Sequence, residues 1–186
     1  MKKAVLAIMV LFVLSFNQVQ ASNYNKISDD SKVIAALGVL ESVNAQDVIT
    51  RLEKSATKVI FYDLSLMDYS YAKHYAVSST DENGNNYILI NERFRNSSKE
   101  AIACLIAHES VHQLSQATLD EEVRATTTEA QTWLKVRNSS TSTVTNDLTN
   151  RLNKLAMMYQ TSTPNKNLIE DSIANNSFYQ QQLAMK

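Results

Sequence analysis

His108, Glu109 and His112 form an H-E-x-x-H pentad that follows an unbroken apolar run at residues 101–107. This pairing constrains the fold more than any other feature of the chain. Residues four apart lie on one face of an α-helix, one turn above each other. Two imidazoles so placed can grip one Zn²⁺, with the carboxylate between them positioned to act on water at the ion. The pentad therefore has chemical meaning only on a helix, and only with a further ligand from another element. Chance gives roughly 0.3% for one such hit in a chain of this composition, so the surrounding sequence has to carry the reading.

That surrounding sequence predicts a helix. Ser97 and Glu100 fit a capping box, S-x-x-E, and no glycine or proline interrupts residues 98–112. Ala101, Leu105, His108 and His112 fall on one face, with Ile102, Ile106 and Val111 on the others. The expected helix runs about 20 residues from Lys99 and carries the histidine pair through its middle. A second helix is expected after Leu119, with Asp120, Glu121 and Glu122 in a first turn where the helix dipole favours acids. A short connection makes such helices antiparallel neighbours. A glutamate early in the second helix, Glu121 or Glu122, can then swing back over the pair. Two histidines and one carboxylate leave a fourth position for water, as a catalytic zinc site requires.

H-E-x-x-H followed by a helix bearing E-x-x-A resembles the gluzincin branch of the zincin metallopeptidases, and its small single-domain members in particular. The resemblance implies that Glu122, in Glu122-Val123-Arg124-Ala125, is the third zinc ligand beside His108 and His112. Glu121 is then an ordinary surface acid. It further implies Zn²⁺ as cofactor, Glu109 as catalytic general base, a protein or peptide as substrate, and an α+β, zincin-like fold. It reaches back to residues 87–91, placed as the substrate-aligning edge strand, and covers residues 57–135. Ser110 departs from the pattern, since a bulky apolar residue is common there. The two helices expected near the C-terminus have no counterpart in it.

Other residues admit plainer readings. Glu129 shares a helix face with Glu122 and is either an acceptor fixing the tautomer of a ligand histidine or a surface acid. Cys104, one turn before His108, reads as a small buried hydrophobe rather than a ligand. His74 reads as a structural or exposed histidine rather than a group that stabilises an oxyanion. Trp133 reads as a core anchor.

Glycine occurs twice and proline once, so Asn, Ser and Thr take over turn punctuation. Helical periodicity is expected over residues 28–43, 45–56, 142–159 and 167–183, the last two through Val144 and Phe178 among others. Strands are expected at residues 58–64, 75–79 and 86–91, the last two joined by a hairpin turning at Asn83-Gly84. This gives a small, partly antiparallel sheet of about three strands. The C-terminal helices are expected to cover the glutamate helix and wall the cleft.

Residues 1–21 read as a signal peptide: Lys2 and Lys3, an apolar core, then Val19-Gln20-Ala21 as the cleavage site. The expectation is a periplasmic or secreted protein with no stable membrane insertion after cleavage, since the apolar run is short for a span. Removing 21 of 186 residues leaves 165, a single domain at residues 22–186 that can bury a core without disulfides. Cys104 is the lone cysteine and has no intramolecular partner. Without Lys2 and Lys3 the basic residues fall from 18 to 16 against 19 acidic, a charge of −3, which argues against nucleic acid as a partner. Oligomeric state is not encoded in any of these features. Two other functions fit the same motif: a non-catalytic exported zinc-binding module, and a zinc hydrolase acting on cell-wall peptides.

Overall fold

Helices begin where a short polar side chain can take the first free amides. The computed structural model describes residues 24–112, 118–138 and 146–176. Asp30 caps α1 (Ser31–Ser42) by accepting from Lys32 N at 2.8 Å and Val33 N at 3.4 Å. Ala45 precedes α2 (Gln46–Lys54). The scarcity of glycine shows at the ends of both helices, where Asn44 and Ala56 adopt left-handed backbone, φ 56° and 50°. That conformation is normally left to glycine at a helix C-terminus.

Three strands follow: β1 (Lys58–Tyr62), β2 (Ala76–Thr80) and β3 (Asn86–Asn91). Two short 3₁₀ turns, Leu64–Leu66 and Tyr69–Lys73, lie between β1 and β2. The β2–β3 hairpin turns at Gly84, φ +81°, with the Asp81 carboxylate gathering the amides of Asn83 and Asn85. The sheet is mixed, in order β1-β3-β2, with β1 parallel and β2 antiparallel to β3. This corrects the expectation for residues 87–91. β3 is the central strand, and β2 is the edge that runs beside the pentad. The physical reason is visible in burial: Ile88, Leu89, Ile90 and Asn91 are all buried, as a strand covered on both sides must be. β2 is polar beyond Val77, in Ser78, Ser79 and Thr80.

Helix α3 (Lys99–Glu109) carries the first two pentad residues, and each of its residues from Glu100 to Glu109 is buried. A helix apolar on every side belongs inside a core. It packs against α1, α4, β2 and β3, and contacts α5. Its cap differs from expectation. Ser98 accepts from Ala101 N, while Ser97 accepts from Asn146 Nδ2 at 2.7 Å and ties the helix start to α5. The helix spans 11 residues rather than about 20, so His108 lies in its last turn and His112 just beyond its end, not in its middle. Ser110 ends it: its hydroxyl donates to Ala107 O at 2.8 Å and accepts from the Arg51 guanidinium at 3.1 and 3.2 Å. The apolar residue of the resemblance is thus replaced by a buried hydroxyl held from α2.

Helix α4 (Leu119–Val136) is capped by Thr118, α5 (Asp147–Thr161) by Asn146, and α6 (Leu168–Ala174) by Asn167. α5 and α6 both pack on α4. Trp133 is buried and donates from Nε1 to Asn153 Oδ1 at 2.8 Å, joining α4 to α5. The described fold is therefore α+β, six helices with a three-stranded mixed sheet. The expected signal segment, Val144 and Phe178 lie outside the described residues. No described helix is long and apolar enough to cross a membrane.

Candidate metal centre

The end of α3 and the start of α4 bring four of the expected residues together. After Glu109 the chain tightens, with Val111 N bonding to His108 O and His112 N to Glu109 O. These three-residue bonds keep His112 above His108 although the α-helix has ended. The two Nε2 atoms are 3.2 Å apart. Glu122, one turn into α4, places Oε1 3.6 Å from His112 Nε2 and Oε2 3.9 Å from His108 Nε2. His108, His112 and Glu122 each offer a ligand atom within 4.8 Å of the others, so this cluster can hold a metal ion.

The chemistry of these donors fits a cation. Ring nitrogens sharing one tetrahedral ion at about 2.05 Å stand about 3.3 Å apart, close to the spacing found. Glu122 Oε2 is buried with no hydrogen-bond donor among the described residues. Leaving a buried acceptor unpaired is costly, and a cation removes that cost. Helix dipoles act in the same sense, because the carbonyl end of α3 favours positive charge and the amide end of α4 holds Glu121 and Glu122.

Each histidine is backed by its own carboxylate. Glu121, buried rather than exposed, places Oε1 2.9 Å from His112 Nδ1. Glu129, fully buried, places Oε2 3.1 Å from His108 Nδ1, a charge contact off the line of the ring N–H. A carboxylate at Nδ1 turns the lone pair of Nε2 toward the cluster. Burial pulls the His108 ring down, but Glu129 and then Glu109 outweigh it, and the ring titrates above the usual histidine range. Burial works against the Glu129 charge, yet Arg151 and His108 carry its pKa down to about 2. Arg151, from α5, grips both Glu129 oxygens, through Nη1 and through Nη2 at 2.8 Å. Burial lifts Glu122 above the usual carboxylate range, against the pull of His108 and His112.

Glu109 faces a cavity of about 510 Å³ that it shares with the three cluster residues and with β2. Its Oε2 lies 3.0 Å from the Ser78 hydroxyl, which is also 3.0 Å from the Glu109 carbonyl. His74, half-buried, lines the same cavity; burial takes its ring below the usual range, partly countered by Glu109. Asn91 fixes it from β3 by donating to His74 O at 2.9 Å. Cys104 is fully buried and outside the cluster, and burial pushes its thiol well up, as the core reading expected.

Glu121, Ser78 and Arg151 are contributors that sequence reasoning did not single out for these roles. Glu121 carried a usable signal, since two adjacent acids can serve two histidines. Ser78 and Arg151 carried none, because their places depend on tertiary packing. No known protein family, no characterised protein and no solved structure matches the chain.

Proposed function

We propose that this chain is an exported zinc-dependent metallopeptidase of the zincin type, in its gluzincin branch. The observation that carries the reading is the convergence of His108 Nε2, His112 Nε2 and the Glu122 carboxylate beside Glu109, in a cavity bordered by an edge strand. His108, His112 and Glu122 would hold the zinc. The bound ion supplies Lewis acidity, which acidifies water and polarises a carbonyl.

The protein's own groups do the rest. Glu109 takes a proton from the attacking water at its carboxylate and returns it to the leaving amine. Ser78 holds that carboxylate in the cavity. In the β2–β3 ladder, Tyr75 and Asp81 bond to β3 and its turn, so by alternation Ala76, Ser78 and Thr80 turn their backbone groups outward. An extended peptide can add to that edge. Cys104 is fully buried and lies outside the cluster, which weighs against its serving as a further ligand of a purely structural zinc clip.

The test is metal analysis beside proteolysis. Wild type should carry about one zinc per chain and digest casein in a chelator-sensitive way. Glu109→Gln should retain the metal and lose at least about 100-fold in rate. A Glu109→Gln protein that still cuts casein defeats the reading. Digestion of peptidoglycan but not casein would move the activity to cell-wall peptides.

A further inference from the structure

The cavity is electrically lopsided. Glu109, Glu122 and the two histidines occupy one end, where Ser78 of β2 touches Glu109. Following β2 back toward its start, the lining passes through Ala76 and Tyr75 to His74 and Lys73. Four residues of extended chain separate Ser78 from His74, about 13 Å. This far end is rich in cations. Lys73 is exposed and has no acidic partner within 4.0 Å among the described residues. Arg93 donates to Lys73 O at 3.0 Å and lies 5.6 Å from the Tyr75 ring. Arg151 lies 4.8 Å from the same ring. Two anions answer these three cations, Asp147 at Arg93 and Glu129 at Arg151. The surplus positive charge belongs to Lys73, an exposed residue of the cavity lining.

We infer that the Lys73–His74 end of the cavity is a subsite for a carboxylate of the substrate, so that the enzyme acts best on acidic peptides. The inference rests on the peptidase reading and names its substrate class. A peptide extended along β2 from the metal centre comes level with His74 after about four residues, at about 3.3 Å each, with Lys73 next in the chain. A carboxylate arriving there meets the Lys73 ammonium and the half-buried His74 ring. Arg151 also faces the cavity but is committed to Glu129, so Lys73 is the residue to vary.

The experiment uses the full chain loaded with zinc and a set of fluorescent decapeptides. Their variable end is a free C-terminal carboxylate, an internal Glu, the Gln or amide counterpart, or Lys. Cleavage is followed in wild type, and binding is followed by fluorescence anisotropy in Glu109→Gln. Peptides with a carboxylate should bind and be cleaved about threefold to fivefold better than their amide counterparts, the scale of one exposed ion pair. The gain should appear in KM rather than kcat. Lys73→Glu should reverse the preference toward the Lys peptide, while Lys135→Glu, distant on α4, should leave it in place. Comparison of the terminal and internal arms tells which carboxylate the subsite takes. Equal affinity across the set, or a preference that survives Lys73→Glu, overturns the subsite. Binding preference with no cleavage of any peptide would keep the subsite and reject the peptidase reading; cleavage without preference would do the opposite.

Discussion

Glu121 and Glu122 are neighbours in the chain, yet they meet opposite sides of the histidine pair. Glu122 faces the two Nε2 atoms, whereas Glu121 touches His112 Nδ1 from behind. On the proposed reading, removing a ligand and removing a ligand's support have different costs. Glu121→Ala or Glu129→Ala should weaken zinc binding by about 10–100-fold, the usual effect of losing a carboxylate that orients a ligand histidine. Glu122→Ala should weaken it by more than about 100-fold, because it deletes a bond to the ion. Competition with a zinc chelator of known affinity measures all three. A larger loss in Glu121→Ala than in Glu122→Ala would make Glu121 the ligand and overturn the assignment to Glu122. The pentad and the E-x-x-A match were legible because both obey helical spacing. Burial of Glu121 was not, because a first-turn acid looks the same whether it faces water or an imidazole.

Helix and strand positions were legible because their cues are local. The periodicities predicted α1, α2, α4 and the hairpin to within a few residues, and the Asn83-Gly84 turn is where it was expected. Two elements escaped for the same physical reason, that distant contacts decide them. α3 stops at Glu109 because Arg51 of α2 holds Ser110. β3 is central because β1 pairs with it across the two 3₁₀ turns; its continuous run Ile88-Leu89-Ile90 was the available clue. Caps make a sharper test at this scale. Burial acts to raise the Asp30 carboxyl, but Arg95, at 2.5 Å, and the amides of Lys32 and Val33 hold it below the usual carboxylate range. A carboxyl lowered by folding stabilises the fold above its unfolded pKa of about 4. That contribution fades as pH falls toward the lower folded value. Asp30→Ala should therefore cost about 1 kcal/mol at pH 7 and progressively less below pH about 4. Asp30→Asn should keep most of the cap and lose the pH dependence. Urea unfolding of the three proteins between pH 3 and 7 checks this, and a cost that stays constant over that range would remove the ion pair from the argument.

At the scale of the molecule, one junction concentrates the buried acids. Glu109, Glu121, Glu122 and Glu129 are all buried around the meeting of α3 and α4; apart from the two histidines, Arg151 is the one cation among the described lysines and arginines that pairs with any of them. Packing alone does not explain such a cluster, since buried like charges oppose folding. The surrounding core has to hold it: Ile102, Ile106 and the rest of α3 pack between α1, α4 and the sheet. A site held against its own repulsion is ready for a cation and less stable without one. A metal bound only by the folded state adds about 2.7 kcal/mol at a free concentration 100 times its Kd. For a chain of this size that corresponds to a rise in Tm of about 5–10 °C. Zinc should produce that rise in wild type, and a chelator should reverse it. In metal-free protein, Glu122→Ala should melt at the same temperature as wild type or higher, because it relieves the crowding, and it should lose most of the zinc-dependent rise. Calorimetry of both proteins with zinc and with chelator separates the two effects. If metal-free Glu122→Ala melts well below metal-free wild type, Glu122 is a structural acid and the junction was not built around an ion.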